Sequence, residues 1–107
     1  MYNNPMMEYH LSKLKIVAAA IKKDGVIWTL PRPARHHNII FAMNDVGKSK
    51  ARENKTSFLI EAHGKQGFID GEGNFLNRED AAKRAILCGQ LTKPLIAPPN
   101  LFSEDLW

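Results

Sequence analysis

The sequence has a single cysteine, Cys88. No disulfide can form within the chain, and with no second thiol nearby a zinc site has no starting point. No apolar run approaches the ~20 residues that cross a bilayer, and Met1 to His10 lacks the basic start and apolar stretch of a secretion signal. A cytoplasmic protein without membrane contact is expected, held together by its core alone. Acidic residues are scarce in one region. Between Lys13 and Lys65 stand eleven Lys and Arg but only Asp24, Asp45, Glu53 and Glu61, whereas Gln66 to Trp107 holds four against six. The net charge is +4 and the pI is about 9.4, so an anion would bind to the first of these regions.

At 107 residues the chain has the size of one domain. Residues 1–12 show no period and carry Asn3, Asn4 and Pro5, which reads as a mobile arm. Residues 13–107 read as one domain. Leu14 to Lys22 and Val26 to Leu30 are β-prone runs flanking Asp24-Gly25, the strongest short signal for a type I′ hairpin. That turn sets Ile21 opposite Trp28 and Ala19 opposite Leu30. Pro31 and Pro33 end the second strand, and Pro33 suits the first turn of a helix over 34–46 that stops at Gly47. At about 100° per residue His36, Ile39, Ile40, Ala42, Met43 and Val46 share one arc, with His37 and Asn44 on its flank. Phe41 points elsewhere and calls for cover from another segment.

Lys48 to Lys55 reads as a solvated basic loop, and Thr56 to His63 fits a short helix or a buried strand equally well. Gln66 to Asp70 and Asn74 to Leu76 flank Gly71-Glu72-Gly73 as a second hairpin. Asn77 then caps a helix that carries Glu79 and Asp80 in its first turn and ends at Gly89. Its inner arc is Ala81, Ala82, Ala85, Ile86 and Cys88, small enough to lie close on a sheet. Beyond Leu91 the prolines forbid a regular element, but Leu95, Ile96, Leu101, Phe102, Leu106 and Trp107 are too apolar for a free tail. The tail is expected to wrap the domain or a partner subunit, with Ser103 capping a last turn. The fold class expected is α+β: a mainly antiparallel four-stranded sheet, built as two hairpin-helix units, with both helices on one face.

Two clusters could carry chemistry. Arg32, Arg35, His36 and His37 open the first helix, where free N–H groups and the dipole attract anions and guanidiniums add paired donors. Lys65 and Gln66, between Gly64 and Gly67, could reach a phosphate or a base edge. The plainer alternatives are a core histidine with a satisfied hydrogen bond and a simple loop. Adjacent His36 and His37 diverge on a helix and cannot chelate one ion, so neither metal nor cofactor is expected. Lys48, Lys50, Arg52 and Lys55, with Lys22 and Lys23 at the hairpin tip, form a weaker nucleic-acid candidate. Enzyme readings, Ser57 with a histidine, Glu61 with His63, or His36 or His37 as base, lack a diagnostic surround, and Cys88 reads as an inert thiol.

Three strings, Pro-Ala-Arg-His-His-Asn-Ile-Ile from Pro33, Gln66 through Ala82, and Asn100 through Trp107, mark a resemblance over Val26 to Trp107 to small proteins encoded by bacteriophages and prophages. The resemblance implies a phage origin and the host bacterial cytoplasm as location, and it carries over no catalytic residue. By analogy such proteins are accessory factors acting on host pathways or defences. The expectation is a phage accessory protein that binds an anionic ligand, nucleotide or nucleic acid, through Arg32, Arg35, His36, His37, Lys65 and Gln66. The rival is an interaction module, a homodimer or an inhibitor of a host enzyme, using Phe41 and the tail.

Overall fold

The computed structural model describes residues 13–54 and 64–107, with 47–54 described by backbone alone. The N-terminal arm, Lys55, and the ambiguous Thr56 to His63 segment with its Ser57, Glu61 and His63 lie outside the described residues. The elements are β1 (Ile16–Lys23), β2 (Val26–Thr29), α1 (His36–Asn54), β3 (Lys65–Asp70), β4 (Phe75–Asn77), α2 (Arg78–Leu87) and a 3-10 turn, Ser103–Asp105. All strand pairs are antiparallel, in the order β2-β1-β3-β4. This is the α+β sheet with two helices that the sequence predicts.

Asp24 (φ 50°) and Gly25 (φ 77°) both occupy the left-handed region, and the β1–β2 register sets Ile21 opposite Trp28. The expected Ala19 to Leu30 pair does not form, because β2 ends at Thr29, whose hydroxyl donates to the Ala19 carbonyl at 2.7 Å. Leu30 still packs against the core. β1 starts at Ile16 with an irregularity between Ile16 and Ala18, and the Gln90 side chain grips both its amide and its carbonyl at 2.9 Å. That grip ties the end of α2 to the start of the sheet.

Both ends of α1 depart from expectation. Pro33 is not in its first turn: Ala34 N–H closes a turn onto the Pro31 carbonyl, and Arg35 is the first residue whose carbonyl accepts helical bonds. The Asn38 side chain accepts the Arg35 N–H at 2.8 Å, fixing the start at His36. Gly47 does not stop α1, and Lys48 to Asn54 is helical rather than a loop. One glycine costs about 1 kcal/mol in a helix interior, and the Lys, Ala, Arg and Glu that follow are good helix formers that sustain propagation across it.

The core lies between one sheet face and the helices. Ile16, Ala19, Ile21 and Phe68 meet Ile39 and Met43 of α1, Ala81, Ala82 and Ala85 of α2, and Leu101 of the tail. The Asn77 side chain accepts the Asp80 N–H at 2.7 Å, and Gly89 (φ 66°) turns the chain out of α2. Ile86 is not on the inner arc; it is 61% exposed, because only the three alanines face the strands. The tail wraps its own domain. Leu101 N–H bonds the Arg78 carbonyl, and Leu106 and Trp107 pack on the core. Ser103 does not cap its last turn: Ser103 is the turn's first residue, its carbonyl accepts from Leu106 and Trp107, and the Asp105 carboxylate accepts from the N–H groups of Ile96 and Phe102.

Candidate functional site

The strand registers sort the expected site residues onto two sides of the sheet. Ile21, Trp28, Gln66, Phe68 and Leu76 share the helix-covered face, whereas Ala20, Lys22, Ile27, Thr29, Lys65, Gly67, Ile69 and Phe75 share the other. Lys65 and Gln66, neighbours in sequence, therefore point to opposite sides.

On the covered face the cationic cluster is gathered around the chain's own tail. His36 is 7% exposed and sits edge-on to Phe68, with ring centroids 5.1 Å apart. Its Nε2 lies 2.7 Å from the Gly67 carbonyl. A carbonyl only accepts, so neutral His36 carries its proton on Nε2 and donates. Burial lowers its pKa below the ordinary value; the Gly67 bond opposes this, the nearby Arg78 adds to it, and Glu104 opposes it weakly. Arg35 donates to the Trp107 main-chain oxygen and lies 3.6 Å from Glu104. Arg32 stands 5.1 Å over the Trp107 ring, and Trp107 Nε1 donates to the Ala34 carbonyl.

Gln66 accepts from Arg78, which also donates to the Leu101 carbonyl at 2.7 Å and lies over the Phe102 ring. Further along β3, Asp70 is 3% exposed and accepts the N–H groups of Glu72 and Asn74, with Arg84 at 3.3 Å. Burial raises the Asp70 pKa, but the N–H bonds of Asn74 and Glu72 and the Arg84 contact outweigh it, so the net direction is downward. Sequence reasoning named Trp107 as a docking tail residue but did not single out Arg78 or Glu104. Their roles arise from contacts across long stretches of chain that no local pattern records.

His37 points outward, edge-on to Phe41, which is 64% exposed. Lys48, Lys50 and Arg52 ride on the C-terminal half of α1.

The open face has a different character. Both helices pack on the opposite face, and on this one Ala18 and Ala20 are buried among their strand neighbours. Lys22 and Lys65 are exposed and stand directly opposite each other in the β1–β3 register. Like charges so placed repel. None of the strand residues on this face is acidic. Between the lysines and the far end of the sheet lie Ala20 and Gly67. A Cβ on Gly67 would come within 2.2 Å of the Leu76 carbonyl oxygen and 2.6 Å of Phe75 Cζ. Glycine at this position thus lets the Phe75 ring lie across β3. Beyond it a shallow apolar cavity of about 390 Å³ is bounded by Val17, Ala18, Thr29, Leu30 and Ile69, with Arg32 at its edge.

Among the described residues no three His, Cys, Asp or Glu gather to hold a metal, and no helix is long and apolar enough to cross a membrane. The family model for the phage T4 y16D protein matches residues 15–107, nearly the whole chain and every element of the sheet. The chain belongs to the phage T4 y16D protein family. No curated protein and no solved structure matches the chain.

Proposed function

We propose that this protein is a phage accessory factor that binds nucleic-acid phosphate on the open face of its sheet, through Lys22 and Lys65. The observation that carries this reading is the unrelieved Lys22 to Lys65 pair on a face without strand carboxylates. A repulsive pair costs folding free energy, so its presence is economical if an anion neutralises it. Of the residues expected at the site, Lys65 remains in this reading, and Arg32 lies over the Trp107 ring on the covered side. Arg35, His36 and Gln66 already have partners within the chain: Arg35 bonds the tail, His36 ties α1 to β3, and Gln66 accepts from Arg78.

Fluorescence anisotropy with a labelled oligonucleotide tests the reading. Affinity should fall steeply with salt, and Lys22→Ala should reduce the slope of log K against log salt by about 0.7 to 0.9. A flat salt response would rule the reading out. Exposed Phe41 favours a second reading, a contact surface for a host protein or a second copy. A dimer mass in solution that Phe41→Ser abolishes would support it.

A further inference from the structure

The open face offers more than charge. Phe75 places a π-surface beside Gly67, on the same side of the sheet as the opposed lysines. The apolar cavity lies toward the opposite end of β1, about four residues or ~13 Å along the strand from Lys22. An aromatic ring, an apolar recess and flanking cations address different parts of one kind of ligand, a polyanion whose flat apolar groups are free to leave the backbone.

A duplex presents phosphates to the lysines but keeps its bases stacked and paired, so it has nothing to put on Phe75 or into the recess. We infer that the open face takes single-stranded nucleic acid, with one base against the Phe75 ring, one in the apolar recess, and phosphates at Lys22 and Lys65. This rests on the phosphate-binding reading above and narrows it to a substrate class. Recognition would be tolerant of sequence, because every base has a π-face and no donor and acceptor pattern is set against a base edge here.

The test compares labelled oligothymidylate with a mixed-sequence duplex of equal length, by anisotropy, in the wild type and in Phe75→Leu, Phe75→Trp and Lys22→Glu. Leucine keeps apolar cover over Gly67 but removes the π-face, and a melting curve confirms the fold of each variant. The single strand should bind about tenfold more tightly than the duplex. Phe75→Leu should remove most of that preference, Phe75→Trp should keep it, and Lys22→Glu should weaken both ligands. Equal affinity for the two ligands, still dependent on Lys22, would overturn the single-strand inference and leave the phosphate reading standing. A preference that survives Phe75→Leu would also overturn it. Binding of neither ligand would remove both.

Discussion

On the covered face of the sheet, Gln66 and Asp70 and the helix residues set against them direct their polar groups at partners within the chain. On the open face, one residue along the same strands, Lys22 and Lys65 oppose each other with no strand carboxylate to relieve them. The strands are shared, so neither the backbone nor the twist explains the contrast. Packing does. A buried charge without a partner costs several kcal/mol, which forces pairing wherever helices and tail exclude water. The open face is free of that constraint, so cations there can remain available to something outside the chain.

That contrast can be broken from the covered side first. Phe68→Ala, which empties the centre of the core between His36 and Trp107, should cost about 3–5 kcal/mol in urea denaturation. Asp70→Ala removes the partner of Arg84 and the acceptor of two turn N–H groups, and should cost about 3 kcal/mol. In the wild type this contribution has a pH signature. The folded pKa of Asp70 is depressed, so its stabilisation is present above the unfolded value near 3.9 and is lost as pH falls through the folded value.

His36 gives a smaller effect in a different window. Its folded pKa is also lowered, so the unfolded chain takes up the proton first. Stability should be full above about pH 6.5 and decline as pH falls from there toward the folded value. Urea midpoints measured against pH should show this slope, and His36→Gln, which keeps a donor for the Gly67 carbonyl, should flatten it. The smallest effect has the opposite sign. Lys22→Glu converts a repulsive cross-strand pair into an attractive one and should raise stability by about 0.5 kcal/mol in the same assay.

Much of the fold was legible because local chemistry decided it. Asp24-Gly25 forced a hairpin and its register, Asn77 announced α2, and Ala81, Ala82 and Ala85 announced close packing on the sheet. The ends of α1 were harder to read. Gly47 is a good stop in isolation but is overridden by the helix formers after it, and the start depends on how Asn38 bonds Arg35 rather than on Pro33. The candidate site was less legible still. Arg35 and His36 looked available in the sequence because the groups that occupy them, the Trp107 and Gly67 carbonyls, lie about 70 and 30 residues away. Lys65 and Gln66 looked like one cluster until the strand set them on opposite faces.

The division of labour between the two faces is tested most directly by oligothymidylate affinity and melting temperature measured together on Arg35→Ala and Lys22→Glu. Arg35→Ala should melt lower and bind as the wild type does, and Lys22→Glu should melt no lower and bind more weakly. Loss of binding in Arg35→Ala with Lys22→Glu unaffected would contradict the account and return the anion to the start of α1.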